Sequence, residues 1–246
     1  MLQLKNISFR VTENGAAKDI LKHIDLDVDE RFVAITGPNG GGKSTLAKII
    51  AGILTPTEGQ VLLDGEDITH LSITERAKKG ISFAFQQPVR FKGITVHDLL
   101  SLAGGKRLSV SEACAYLSEV GLCAKDYINR EVNASLSGGE LKRIEIATVM
   151  VRGTALTVFD EPEAGIDLWS FNNLIKVFEK LNTKEGGSIV IISHQERILN
   201  IADKIVVVAA GEITDVGSPD RILPSMLCAS GTCRVLTGKL DGGDNA

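Results

Sequence analysis

Nine consecutive residues, Gly37-Pro38-Asn39-Gly40-Gly41-Gly42-Lys43-Ser44-Thr45, combine unusual backbone freedom with one ammonium and two hydroxyls. Glycines let main-chain N–H groups turn inward and approach an anion with no Cβ in the way. The apolar run Phe32-Val33-Ala34-Ile35 leads in as a buried strand, and Thr45 to Ala51 leads out as a helix that stops at Gly52. Strand, glycine loop and helix are the context such a loop needs. The helix N-terminus adds partial positive charge. In this setting Lys43 reaches the β- and γ-phosphates of a nucleotide and the Ser44 hydroxyl takes Mg²⁺. Gly37, Asn39, Gly40, Gly41, Gly42, Lys43, Ser44 and Thr45 thus read as a cradle for the phosphates of a nucleotide.

Two further groups carry chemistry. Leu156-Thr157-Val158-Phe159 is a buried strand pattern ending at Asp160-Glu161. Asp160 is placed to hold Mg²⁺, and Glu161 to polarise an attacking water as general base. Alone, an Asp-Glu pair after a strand is an ordinary turn; beside a phosphate loop it is informative. In Leu136-Ser137-Gly138-Gly139-Glu140, Ser137 at an N-cap leaves the N–H groups of Gly138 and Gly139 free to face an anion. That makes a second phosphate-binding end, distinct from the first.

The elements that must position these groups follow from periodicity. Leu2 to Phe9 and Ile24 to Val28 alternate as half-buried strands, with a polar turn from Thr12 to Lys18 between them. Val61 to Leu63 is a strand before the tight turn Asp64-Gly65. Ile81 to Phe85, Ala155 to Phe159, Ser188 to Ile192 and Ile205 to Ala209 are buried strands. Helical periodicity covers Val96 to Ala103, Ser111 to Val120, Ser137 to about Val151, and Leu168 to Leu181. Buried strands alternating with helices imply an α/β fold with a mostly parallel, covered sheet, antiparallel strands at the N-terminal end and an inserted helical subdomain. Ligands bind beyond the carboxyl ends of such strands. Gln86, Asp160-Glu161 and His194 all fall there with the loop. The expected division is one domain over 1–238, with a core of 1–88 and 152–238, a helical subdomain over about 89–151, and a disordered polar tail over 239–246.

Composition bounds the rest. The 246 residues, 43% hydrophobic and 24% charged, suit a globular domain with a real core. A net charge of −4 argues against a nucleic-acid binder. No apolar stretch is long enough to span a bilayer, so no membrane insertion is expected. The first residues lack a signal-peptide layout, and four irregularly spaced cysteines make no disulfide framework, which together point to the cytoplasm. Cys114 and Cys123 read as packing residues in helices. Cys228 and Cys233 flank a short loop-like segment, a weak metal signal without further Cys or His nearby.

The motifs, taken in order, resemble the ABC-type ATPases over nearly the whole chain. Gly37 to Thr45 is similar to that family's Walker A, Gln86 to its Q-loop, and Leu136 to Glu140 to its signature motif. Asp160-Glu161 resembles Walker B, Ala164-Gly165-Ile166-Asp167 the D-loop, and His194 the H-loop. The resemblance implies a head-to-tail dimer of two copies, each ATP sandwiched between one P-loop and the other copy's signature motif. It implies that Ser137 and Gly139 touch the γ-phosphate in trans, that Asp167 belongs to the shared site, that His194 reaches the γ-phosphate, and that Gln86 contacts Mg²⁺ or the attacking water. The usual adenine-stacking aromatic has no counterpart around Arg10-Val11, which implies loose base preference.

Within the family, Glu75-Arg76-Ala77, Phe83-Ala84-Phe85-Gln86 with Pro88-Val89, Gly93-Ile94-Thr95 and Asn129-Arg130-Glu131-Val132-Asn133 resemble the SufC-type ATPases of SUF iron–sulfur cluster assembly. Pro162-Glu163, Leu136, Gln87 and Arg90 depart from that pattern. The resemblance implies a SufB-like scaffold docked on the helical subdomain and the stretch 86–100, with Val89, Phe91, Ile94 and Leu99 as anchors. The alternative is the nucleotide-binding subunit of a membrane transporter. A third reading, a regulatory module with negligible turnover, sits poorly with intact Lys43, Asp160, Glu161 and His194.

Overall fold

The computed structural model of the chain describes residues 1–13, 16–133, 135–183 and 187–229. Two long strands open it, β1 (Leu2–Glu13) and β2 (Ala16–Val28). They pair antiparallel from Leu2 opposite Val28 out to Glu13 opposite Ala16. The ladder therefore runs through most of the stretch expected to be a polar turn. Its outer end lies beyond the core, where Lys18 and Asp19 stay exposed, so no apolar alternation announces it. Where a core exists the alternation is plain: Leu21, Ile24, Leu26 and Val28 are buried.

The chain continues through β3 (Phe32–Thr36), α1 (Lys43–Ala51), β4 (Glu58–Leu63), β5 (Glu66–Asp67), α2 (Ile73–Lys78) and β6 (Ile81–Ala84). Four helices follow without a strand, α3 (Val96–Ala103), α4 (Val110–Glu119), α5 (Ala124–Tyr127) and α6 (Gly138–Arg152). Then come β7 (Leu156–Asp160), α7 (Leu168–Thr183), β8 (Ser188–Ile192), α8 (Glu196–Asn200), β9 (Lys204–Ala209), β10 (Glu212–Gly217) and α9 (Pro219–Ala229). Sequence periodicity passed over α2, α8, α9 and β10. The first two are short, and β10 carries only half-buried alternate positions.

A four-stranded antiparallel sheet has the order β2-β1-β4-β5, and a six-stranded sheet the order β10-β9-β3-β8-β7-β6. In the second, β9 through β6 run parallel and β10 pairs antiparallel at the edge. Its central strands are covered on both faces, as near-continuous apolar runs require. Val33, Ile35, Val158, Val190 and Ile192 pack with α1 and the antiparallel sheet. Phe32, Ala34, Phe159, Ile189 and Ile191 pack into a second cluster with α3, α4, α6, α7, α8 and α9.

One buried cation fixes α1. Arg76, wholly buried on α2, donates from Nη1 to Ile49 O at 2.6 Å and Ile50 O at 2.8 Å, and from Nη2 to Thr69 O at 2.9 Å. Burial lowers its pKa to about 10, so it remains charged at neutral pH. A cation on the terminal carbonyls of a helix opposes the negative end of its dipole.

Two cysteine expectations are corrected. Cys123 is exposed at the N-cap of α5, so it packs nothing; Cys114 is half-buried against the core as expected. Cys228 lies within α9, not in a loop, while Cys233 and the tail over 239–246 lie outside the described residues. Among the described residues no helix is long and apolar enough to cross a membrane, and no cluster of three His, Cys, Asp or Glu is placed to hold a metal.

Candidate active site

β3 delivers the glycine loop to the carboxyl edge of the parallel sheet. Gly37 (φ 133), Gly40 (φ 76) and Gly42 (φ 102) lie in the left-handed half of backbone space, which side-chain-bearing residues adopt at a cost. The turn between β9 and β10 buttresses the loop: Gly211 N–H donates to Gly41 O at 3.1 Å. α1 then starts with no side-chain cap and no acidic residue in its first turn. In contrast, α2, α3, α4 and α6 each begin with a reciprocal capping box between Ser or Thr and an acid three residues on. The α1 N-terminus therefore keeps donors free for an anion. Lys43 is 5% exposed, and its ammonium donates to Gly37 O at 2.8 Å and Pro38 O at 2.9 Å. Burial lowers its pKa, against the pull of Glu161 and Asp160. Asn39 and Gly40 stand exposed at the rim, and Ser44 and Thr45 are half-buried.

Asp160 ends β7 in register with Ile192 of β8. It is 3% exposed, and its Oδ1 accepts the Ser44 hydroxyl at 3.0 Å. Burial raises its pKa, with Ser44 opposing and Glu161 adding. Glu161 takes φ 46, uncommon for a residue with a side chain, while its N–H donates to Ile192 O at 3.0 Å. The turn swings the carboxylate between two partners. Gln86 Nε2 donates to Oε2 at 2.6 Å, and His194 Nε2 lies 3.7 Å from Oε1.

The residues present fit Mg²⁺. A hydroxyl and a buried carboxylate meet at hydrogen-bond distance, both hard oxygen donors of the kind that ion prefers. A dication beside Asp160 would also offset the burial that disfavours its ionised form.

The α6 N-terminus forms a separate group. Ser137 caps it, accepting Glu140 N–H at 3.3 Å, while Glu140 Oε2 accepts Ser137 N–H at 2.6 Å. The Tyr127 hydroxyl donates to Glu140, and Arg130 Nη1 lies 3.9 Å from the same carboxylate. Tyr127 first, with Ser137 and Arg130 helping, holds Glu140 below its ordinary pKa. A Cβ placed on Gly138 would meet nothing within 4 Å, and one on Gly139 would lie 3.4 Å from Gly165 O. Asp167 accepts Ser170 N–H at 3.0 Å and caps α7. Lys43, Ser44, Gln86, Asp160, Glu161 and His194 thus gather in one place, while Ser137, Gly138 and Gly139 form a separate group at the start of α6.

Sequence reasoning missed Glu163. Its Oε1 accepts the Ser193 hydroxyl at 2.5 Å, and Ser193 Oγ in turn accepts Gln195 N–H at 3.0 Å. Ser193 is wholly buried. This tie joins the turn after β7 to the turn that carries His194. Burial raises the pKa of Glu163, with Ser193 opposing. The available signal was a second acid two residues beyond Glu161, across Pro162.

Burial and Lys43 lower the pKa of His194, against Glu161, which raises it. The native imidazole therefore binds fewer protons than the unfolded one just below pH ~6.5. Its contribution to stability rises with pH through that window and is lost on acidification. In an NMR titration the His194 midpoint is expected below the ordinary imidazole value. Lys43→Met should move it up and Glu161→Gln should move it down; a midpoint indifferent to both would remove His194 from their field.

Comparison with known proteins places this arrangement. Residues 21–164 match the family model described as ABC transporter. The uncharacterized ABC transporter ATP-binding protein MJ0035 of Methanocaldococcus jannaschii is 40% identical over 214 residues, covering 83% of this chain and 85% of that protein. The probable ATP-dependent transporter ycf16 of Antithamnion sp. is 32% identical over 240 residues, covering 91% and 93%. Among solved structures, the dimeric post-hydrolysis state of the ATP-binding cassette MJ0796 bound to ADP and Pi superimposes with a TM-score of 0.79 at 26% identity. It covers 89% of this chain and 99% of that one.

Proposed function

The chain belongs to the ABC transporter family as an ATPase domain, and from that premise we propose that two copies close head to tail on ATP and drive a conformational change in a SufB-like iron–sulfur scaffold. The dimeric cassette MJ0796 supports the pairing. In this reading the loop from Gly37 to Thr45 and the open α1 N-terminus hold the phosphates. Lys43 exchanges its carbonyl partners for phosphate oxygens. Ser44, Asp160 and Gln86 would hold Mg²⁺, which would supply charge to shield and orient the phosphates. Glu161 takes the proton of the attacking water, with Gln86 and His194 setting the direction of its carboxylate. Ser137, Gly138 and Gly139 of the second copy close over the γ-phosphate, with Asp167 at the shared boundary. ATP shifts the pair towards the closed form by binding that form more tightly, and that difference is the work available to a partner.

One observation carries the partner reading. Immediately beside Gln86, an apolar groove of about 530 Å³ is lined by Phe83, Phe85, Val89, Phe91, Leu99 and Leu102 among others. Phe85, Val89, Phe91 and Leu102 are exposed there, as a docking surface requires. Leu99 is half-buried and also packs on the core, so it anchors the groove wall. A partner seated in this groove presses directly on the segment that aims Gln86. The SufC-like stretches from Gly93 to Thr95 and Asn129 to Asn133 frame the same face: Val132 N–H donates to Ile94 O at 2.9 Å, and Thr95 bridges Glu131.

The transporter reading has its own support, since the relatives carry transporter names, the spermidine/putrescine import ATP-binding protein PotA of Mesoplasma florum among them. Isolating the full chain from its own cells, without oxygen or detergent, and weighing its complexes by native mass spectrometry separates the two. A soluble partner carrying iron and sulfide is the expected result. A permease that appears only after detergent is added would replace the scaffold reading with the transporter one.

A further inference from the structure

β6 pairs with β7 only as far as Ala84 opposite Phe159. The next residue, Phe85, leaves the ladder, yet both of its backbone polar groups are taken. Its N–H donates to Glu145 Oε1 at 3.0 Å, and its carbonyl accepts the ammonium of Lys142. Lys142 and Glu145, one turn apart on α6, are themselves paired at 3.0 Å. The Lys142 side chain is 1% exposed and that of Glu145 15%. The bonded residue immediately precedes Gln86, whose amide reaches Glu161 at 2.6 Å.

A buried ion pair is a poor way to gain stability, because apolar residues of equal volume do as well or better. What it gives here is register. Two charged groups on one helix face grip the N–H and the C=O of a single residue, and so fix its rotation as well as its position. Charge-assisted hydrogen bonds are short and directional. An apolar contact in the same place would let Phe85 turn, and Gln86 would turn with it. The same helix is capped by Ser137, five residues before Lys142. A shift of α6 is therefore carried to Gln86 through two side chains and one residue of main chain.

We propose that Lys142 and Glu145 are positioning residues for hydrolysis, a clasp that ties the aim of Gln86 at Glu161 to the placement of α6. The proposal rests on the reading that Gln86 and Glu161 act in turnover, and the test separates the two. The paired variant Lys142→Met with Glu145→Met leaves no buried charge unpartnered, and the Phe85 N–H and C=O that it frees belong to an exposed residue, so it should fold with Tm lowered by no more than about 5 °C. It leaves the glycine loop untouched, so KM for MgATP should stay within about twofold. Its kcat should fall about tenfold, because a misplaced reacting group is costly even when bound substrate is not. Adding Gln86→Ala to that variant should cause little further loss, since the clasp acts through Gln86. A packing role alone would change KM along with kcat, or give losses that add to those of Gln86→Ala. If Gln86→Ala lowers kcat in the native chain while the paired variant keeps full kcat, or if the losses add, the clasp is overturned and the role of Gln86 stands. If Gln86→Ala in the native chain leaves kcat unchanged, both fall.

Discussion

Replacing Glu161 by Gln is expected to lower ATP turnover by about 10²–10⁴-fold, the range a positioned general base supplies, while leaving ATP-dependent pairing of the chain intact. Glutamine has nearly the same shape and can still hydrogen-bond Gln86, with His194 beside it, from the place Glu161 occupies. It cannot accept a proton from water. Its burden at φ 46 is no greater than that of glutamate, so Tm should change little. The elements that bind phosphate, Lys43 and the open α1 N-terminus, are untouched. Phosphate release measures the turnover, and size-exclusion chromatography with and without ATP measures the pairing. Turnover equal to that of the native chain would remove Glu161 from the chemistry.

The second large effect is on folding. Gly37 has φ 133, and a Cβ built there would lie 2.1 Å from Val208 O on β9. That carbonyl belongs to the sheet and cannot step aside as a flexible side chain would. Gly37→Ala is expected to cost about 3 kcal/mol or somewhat more, within the sum of backbone strain of about 1–3 kcal/mol and overpacking of similar size. For a domain of this length that lowers Tm by roughly 6–12 °C. Gly40 provides the control: its φ is 76, but a Cβ there meets nothing within 4 Å. Gly40→Ala should therefore cost only the backbone term, about 1 kcal/mol. Thermal unfolding of the two variants decides it; equal losses would mean the β9 contact contributes nothing.

These two glycines show what a sequence can and cannot disclose. That the loop needed glycine was legible from its spacing before Lys43 and Ser44, and so was the strand that delivers it. Which glycine answers to a phosphate and which to β9 was not, because Val208 lies 171 positions away and only the sheet order brings it close. The same limit explains Glu163. Its partner Ser193 comes from the turn after the adjacent strand β8, and a lone acid after Pro162 carries no periodic signal. The Lys142–Glu145 pair was hidden for the opposite reason. Two charges three apart on a helix read as a wet face, whereas here that face is pressed onto Phe85. Helix starts were legible throughout α3 and α6, because Thr95 and Ser137 announce themselves with an acid three residues on. The outer hairpin of β1 and β2 was not, since strands with both faces in water leave no alternation to find.

The six-stranded sheet separates two apolar cores, and the functional parts are divided between them. The loop and α1 are rooted in one core; α6, with Ser137 at its tip, is rooted in the other. Packing changes are felt most strongly by immediate neighbours and fade within about 7–10 Å. Substitutions that reshape α3, α4 and α5 are therefore compensated on their own side of the sheet, whereas α6 stays tied to Gln86 through Lys142 and Glu145. A lineage can refit α3, α4 and α5, residue by residue, and inherit the glycine loop and α1 unaltered. One hydrolytic unit can in this way be recruited to new machinery by divergence confined to a single face.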